Sequence, residues 1–272
     1  MLKHFLVWLK VPIVDVSHDE IKEYIEFLLD RRLSAKTINC HLNVIRRFCH
    51  YLKEEEGLPV VDPVKRGSAL RLPNPLPKHL RDEEVDAFLE VINKPRDQAM
   101  FMVMLRCGLR VEEVANLSID AIDYRNSRLF VFMGKGKKDR VVFISSSAAD
   151  ALAIYLEMRP CVKSRKVFLV EKGTFKGQPI SVRGIQKRIE YYSKKSGVSV
   201  SCHNLRHTMA TQLLNADAPL VSIQDLLGHS KIKTTQRYCR VSNVKMQKDY
   251  YTAMAMIEKK SRKEPANKER LH

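Results

Sequence analysis

Residues 128–144 read RLFVFMGKGKKDRVVFI. Two runs rich in β-branched and aromatic residues, 128–133 and 140–144, flank Gly134-Lys135-Gly136-Lys137-Lys138-Asp139, which is the pattern of a β-hairpin with a glycine-rich, cationic tip. On either side the hydrophobic period is helical. Upstream, 82–92, 97–106 (ending at Gly108) and 111–117 read as helices; downstream, 146–158, 182–196 and 203–215 do, with a short strand-like run at 166–170. One hairpin set among helices predicts a mainly α fold with a small antiparallel β-sheet.

Toward the N-terminus, Ile21, Ile25, Leu28 and Leu29 form one apolar stripe within 19–29, and Ile38, Leu42, Ile45, Phe48 and Leu52 form another within 35–52. Ser34 is the expected N-cap of the second helix, and Gly57-Leu58-Pro59 ends it. The faces carrying Arg31, Arg32, Lys36, Arg46, Arg47 and Lys53 are basic, so this part reads as a small helical bundle with a cationic surface. Between Leu58 and Lys78 five prolines sit among Arg and Lys, a composition that resists helix and strand and favours an extended connector. Its charges suit either a solvated spacer or a strap along a DNA backbone. The organisation expected is a helical domain over 1–72, a linker over 73–79, a second domain over 80–258 and a charged, disordered tail over 259–272.

The 272 residues carry 48 Lys+Arg against 31 Asp+Glu, a formal net charge of +17, and 44% hydrophobic content is ample for a core. Such an excess is suited to neutralising phosphates, so nucleic acid heads the candidate partners. A membrane surface would attract the same charge, but no apolar run is long enough to span a bilayer. The opening stretch contains Lys3, His4, Trp8 and Lys10 and lacks a small-residue cleavage site, making a poor secretion signal. A soluble, intracellular protein is expected. The six cysteines have no repeated short spacing, unlike a disulfide framework or a zinc site, and read as reduced, mostly buried thiols.

Four segments carry residue types suited to phosphoryl transfer. In Cys107-Gly108-Leu109-Arg110-Val111-Glu112-Glu113, glycine closes one helix and Arg110 opens the next with Glu113 one turn away. That arginine is either a phosphate ligand braced by the carboxylate or an ordinary solvated side chain. The tip with Lys135, Lys137 and Lys138 suits a loop entering a DNA groove, although basic hairpin tips also arise by chance. His203 and Arg206 are three apart and share a helix face, offering a proton-transfer group and a cation, or else a cap and a surface charge. Tyr238 follows Leu227-Gly228-His229 nine residues after the histidine. A phenol titrates near 10, so as a nucleophile it needs cations about its target and an acceptor for its proton. Acidic ligands at a metal-binding spacing and a P-loop are both missing from the sequence, which supports neither a two-metal nuclease nor an ATP-driven enzyme.

Taken in order, Gly-Leu-Arg-x-x-Glu at 108–113, Gly-Lys-Gly-x-Lys at 134–138, His-x-Leu-Arg-His-Thr at 203–208, Leu-Gly-His at 227–229 and Tyr238 resemble the tyrosine recombinase (phage integrase) family, nearest its Xer-like and transposon-encoded branch. The resemblance covers nearly the whole chain. It implies an N-terminal core-binding (SAM-like) helical domain that uses Lys36, Arg46 and Arg47 on DNA, followed by a catalytic domain. It further implies that Arg110 and Arg206 clamp the scissile phosphate, His229 donates to it, and Tyr238 attacks in line. His203 handles the nucleophile's proton, Lys135 protonates the leaving 5′ oxygen, Glu113 braces the site, and Lys137 and Lys138 contact DNA. Lys135 is preferred over its two neighbours for the acid role because it holds the Gly-Lys-Gly position.

By the same resemblance, site-specific recombination would run through a 3′-phosphotyrosyl intermediate and a Holliday junction, with no metal or other cofactor. Four protomers would hold two duplexes in the bacterial cytoplasm, with a second recombinase or accessory proteins as further partners. The stripe Met246, Tyr250, Met254 and Ile257 would either dock on a neighbour or pack on its own domain. The family's first domain begins with a longer helix, so Met1-Leu2-Lys3-His4-Phe5 is expected to fall partway through the matching segment. The alternatives are a non-catalytic DNA-binding accessory protein of the same fold and a relaxing topoisomerase of the same covalent chemistry.

Overall fold

The computed structural model describes residues 1–72, 78–132, 139–228, 250–252 and 254, and the chain divides into two compact units, Met1–Pro75 and Leu76–His272.

The first unit is built on α1 (Leu2–Trp8), α2 (His18–Asp30) and α3 (Ala35–Glu54). The two anticipated helices are present, each running slightly past the expected ends, and Ser34 caps α3 by accepting from the Thr37 amide at 3.2 Å. Helix α1 was not anticipated: Lys3 and His4 blur its stripe, yet its Phe5 is fully buried in the shared core with Tyr24, Leu28 and Ile38. The Tyr24 hydroxyl lies 2.8 Å from Nδ1 of buried His41 and 2.9 Å from Nδ1 of His4, so the polar atoms of this aromatic core are partnered.

Residues 58–70 form neither helix nor strand, as their prolines dictate, but of the two readings of this stretch the freely solvated spacer does not hold over 60–64. Val60 and Val64 are each 3% exposed and belong to the helical core. Arg46 donates to the Val64 carbonyl at 3.0 Å and to Asp62 at 3.2 Å, and Asn39 grips Leu70 by both backbone groups, each at 2.8 Å. Two valines with a free apolar face outweigh the solvation of the charges between them. Residues 73–77 of the expected linker lie outside the described residues.

The second unit runs α4 (Asp82–Glu90), α5 (Pro95–Arg106), α6 (Val111–Asn116), β1 (Ile122–Asp123), β2 (Arg128–Val131), β3 (Arg140–Phe143), α7 (Ser146–Met158), α8 (Val182–Ser196), α9 (Cys202–Asn215) and α10 (Leu220–Leu227). Helix α5 is its hub: every side chain from Ala99 to Leu105 is buried, and α7 and α9 pack against it. At its start Asp97, wholly buried, accepts from Arg96 at 2.7 and 2.9 Å, from Arg188 at 2.8 Å and from the Tyr192 hydroxyl at 3.2 Å. The expected hairpin is there as β2 and β3, antiparallel, with Leu129 opposite Val142 and Val131 opposite Arg140. Its strands stop at Val131 and Phe143, and the two-residue β1, too short to show a period, completes an antiparallel sheet in the order β1-β2-β3.

Two other expectations are corrected. The run 166–170 is not a regular strand; it makes only the isolated bridges Ser118↔Lys166 and Leu169↔Pro179. The cysteines are not mostly buried among the described residues: Cys49 and Cys107 are, Cys202 is half-buried, and Cys40 and Cys161 are exposed. Cys40 lies off the Ile38–Leu42–Ile45 stripe, and Cys161 follows the end of α7. Cys239 and the tail 259–272 lie outside the described residues. Of the C-terminal stripe, Tyr250 is helical and exposed and Met254 is half-buried, while Met246 and Ile257 lie outside. Among the described residues no helix is long and apolar enough to cross a membrane.

Candidate active site

The turn between α5 and α6 sets the first arginine. Gly108 takes φ +65°, and a Cβ there would come within 3.0 Å of Met209 Sδ and 3.2 Å of Leu227 Cδ2, so backbone conformation and close packing both call for glycine. Arg110 then stands at the N-cap of α6, and Glu113 closes a capping box by accepting from the Arg110 amide at 2.7 Å. The same carboxylate accepts from Arg110 Nη1 at 2.8 Å, so the i,i+3 brace expected from spacing is formed. Arg110 Nη2 reaches across to the carbonyls of Leu227 and Gly228, each at 3.1 Å.

Those carbonyls end α10, a helix that sequence reading missed because eight residues give a faint stripe. A helix C-terminus exposes carbonyl groups without intrahelical partners and carries the negative end of the dipole, so it draws guanidinium groups. Arg206 does the same from α9: only 3% exposed, it donates to the Gly108 and Leu227 carbonyls. The two arginines, 96 residues apart in sequence, therefore meet on one carbonyl oxygen.

A third arginine was not anticipated. Arg140, the first residue of β3, donates Nη1 and Nη2 to the two oxygens of Glu113 at 2.7 and 2.8 Å, and Nε to the Leu226 carbonyl at 2.9 Å. The signal was available: Val142 of this strand and Ile144 just past its end are buried, and period-two alternation puts Arg140 on the same face. A cation facing inward needs a partner. Burial by itself would raise the Glu113 carboxyl; hydrogen bonds from Arg140 and from the Arg110 amide outweigh it and hold the group at about 2. Three guanidinium groups and one carboxylate give this cluster a formal charge of +2.

His203 lies in the first turn of α9, its ring 4.6 Å from that of His207 in an edge-on contact. The residue is exposed overall, yet its ring is partly desolvated. That desolvation, then the charges of Arg206 and Arg110, lowers its pKa from the ordinary 6.5. It also lines a groove of about 540 Å³ beside α8, together with Arg183, Lys194 and Ser201. Burial pushes the neighbouring Cys202 thiol up to about 11, so it stays protonated and is a poor nucleophile.

Of the residues expected at the site, the described structure thus brings together Arg110, Glu113, Arg206 and His203. His229, Tyr238, Lys135, Lys137 and Lys138 lie outside the described residues; His229 is next in sequence to Gly228, and the three lysines fall between the paired strand ends Val131 and Arg140. Lys36, Arg46 and Arg47 are on α3 of the first unit; Lys36 and Arg47 are exposed, while Arg46 is engaged by Asp62 and Val64. Among the described residues no three His, Cys, Asp or Glu side chains are grouped to hold a metal ion.

Residues 78–245 match the Phage integrase family. Tyrosine recombinase XerD of Proteus mirabilis is 35% identical over 254 residues, covering 90% of this chain and 80% of that protein. Tyrosine recombinase XerA of Thermococcus kodakarensis is 34% identical over 230 residues, covering 84% and 79%. The integrase of transposon Tn1549, solved in complex with transposon right-end DNA, shares the fold with a TM-score of 0.75 at 18% identity, over 93% of this chain and 91% of that one. The chain therefore belongs to the phage integrase family, the tyrosine site-specific recombinases.

Proposed function

We propose that this protein cuts and rejoins DNA at a specific site through a transient 3′-phosphotyrosyl bond to Tyr238. The observation that carries the reading is the convergence of Arg110 and Arg206, from separate segments, on the Leu227 carbonyl two residues before His229. A phosphodiester under attack spreads growing negative charge over its equatorial oxygens. Donors already fixed in place stabilise that charge more than they stabilise the starting phosphate. Arg110 and Arg206 supply two such cations, and His229 donates to the same group. Glu113 sets Arg110 and remains ionised under all ordinary conditions. Tyr238 attacks in line, its proton passing toward His203, whose lowered pKa leaves the imidazole neutral and able to accept near pH 7. Lys135 protonates the departing 5′ oxygen, with Lys137 and Lys138 on the DNA backbone.

On this reading residues 80–258 form the catalytic domain. Residues 1–72 grip the duplex through the α3 face carrying Lys36, Arg46 and Arg47, joined to it by the linker 73–79. The basic balance of +17 supports a DNA partner. A 5′ hydroxyl from a second duplex attacks the phosphotyrosyl link in reverse. Pairwise exchange through a Holliday junction then calls for four protomers on two duplexes, working in the cytoplasm at the nucleoid with any accessory proteins the element supplies. The test is a suicide duplex, nicked beside the scissile phosphate and carrying the site that the protein selects from a randomised library. A denaturation-resistant protein–DNA adduct is expected, absent in Tyr238→Phe. Specific binding with no adduct would instead favour a non-catalytic accessory role, and an undiminished adduct in the Phe variant would refute the nucleophile.

A further inference from the structure

We propose that Arg140 is a positioning residue for strand cleavage, setting Arg110 against the scissile phosphate through the carboxylate they share; this rests on the recombinase reading above. Glu113 accepts four hydrogen bonds, two at each oxygen. Oε1 takes Arg110 Nη1 at 2.8 Å and Arg140 Nη1 at 2.7 Å, while Oε2 takes the Arg110 amide at 2.7 Å and Arg140 Nη2 at 2.8 Å. A carboxylate held this way cannot rotate without breaking a bond to each arginine, so its plane, and with it the Arg110 guanidinium, is fixed by the bidentate partner. Arg140 side-chain exposure is 10% and that of Glu113 is 7%, which keeps water from substituting for either.

The third nitrogen of the Arg140 guanidinium makes a second connection. Nε binds the Leu226 carbonyl, one residue before the carbonyl that Arg110 and Arg206 share. The stem of Arg140 also lies flat on the turn that follows α10. Gly228 takes φ +58° there, and a Cβ on it would meet Arg140 Cδ at 3.0 Å and Nε at 3.3 Å. Arg140 thus fixes Arg110 from one side through Glu113 and the end of α10 from the other. Both components that must register on the phosphate, the arginine clamp and the segment leading to His229, refer to one guanidinium. Lysine at this position keeps the charge but offers a point donor in place of a planar fork, and so cannot hold both carboxylate oxygens and the Leu226 carbonyl together.

The test compares wild type and Arg140→Lys on the suicide duplex, and on the same duplex with a methylphosphonate at the scissile position, which removes the anionic charge that the clamp meets. On the ordinary substrate cleavage by the Lys variant is expected to fall roughly 100-fold, as for a displacement of about an ångström in a reacting group, with duplex affinity changed less than about 2-fold. On the methylphosphonate the deficit should shrink by at least about 10-fold, because a misplaced Arg110 costs less when the phosphate is neutral. Glu113→Asp should show the same substrate dependence, and the double variant should be no slower than the slower single one, since both act through one contact. Arg140→Gln, which keeps the stem and a donor, carries the same expectation if the Lys variant melts below the assay temperature. Equal deficits on the two substrates, additive effects in the double variant, or wild-type rates in Arg140→Lys would overturn the proposal. A wild-type protein that forms no adduct would instead overturn the recombinase reading beneath it.

Discussion

Replacing Glu113 by Gln keeps the shape of the side chain and removes the charge on which two arginines close, and the structure sets the size of the consequence. The group is 7% exposed, and its pKa is held at about 2 against an ordinary 4.5. Each tenfold in proton affinity is worth ~1.4 kcal/mol, so the folded state favours the ionised form by roughly 3 kcal/mol. That agrees with the range of about 3–5 kcal/mol expected when a buried ion pair loses one partner. The folded carboxyl binds its proton less tightly than the unfolded one. Its stabilisation is therefore complete above the ordinary pKa and is lost as pH falls from 4.5 toward 2.

Glu113→Gln should accordingly unfold with ~3 kcal/mol less stability near pH 7, a melting temperature lowered by roughly 6–12 °C for a unit of this size. The gap to wild type should narrow steadily below about pH 4.5. Urea titrations followed by far-UV circular dichroism at several pH values measure it. The only tryptophan, Trp8, belongs to the first unit, so its fluorescence would follow the wrong transition. A gap that stays constant between about pH 7 and pH 3, or one smaller than about 1 kcal/mol throughout, would refute the argument that the carboxylate charge organises this cluster.

Two further outcomes follow from other groups of the second unit. Asp97→Asn should destabilise the second unit by about 3–5 kcal/mol without touching the clamp, because Arg96 and Arg188 would face a neutral amide in a buried site; a loss below about 1 kcal/mol in urea unfolding would contradict the role assigned to that network. In the pH profile of adduct formation, the lowered pKa of His203 keeps the proton-accepting form populated into mildly acidic solution. The acid limb should therefore fall below 6.5 and vanish in His203→Gln, and an unchanged limb in that variant would remove His203 from proton transfer.

Much of the site was legible in the sequence because its members are local. Arg110 and Glu113 are one helical turn apart, His203 and Arg206 share a face, and the hairpin announces itself by a change of period. What stayed hidden is long-range. Arg206 finds its acceptors 98 residues upstream and 21 downstream, a pairing that no spacing rule reveals. Helix α10 was overlooked for lack of length, although the carbonyls at its end receive all three arginines. Arg140 was read as part of a strand rather than as a buried charge, an omission that alternation with Val142 would have repaired. In the first unit, proline content correctly argued against helix and strand over 58–70, but could not show that Val60 and Val64 turn inward.

The two-point grip of Asn39 on Leu70 has a practical meaning for anyone exchanging this helical bundle between related proteins. A graft cut just after α3 would leave both amide hydrogen bonds of Asn39 unmade and strip Val60 and Val64 from the faces they cover. A transplanted module should therefore carry the chain through Leu70, and a recipient should offer asparagine, or another side chain presenting one donor and one acceptor in the same plane, at the position of Asn39.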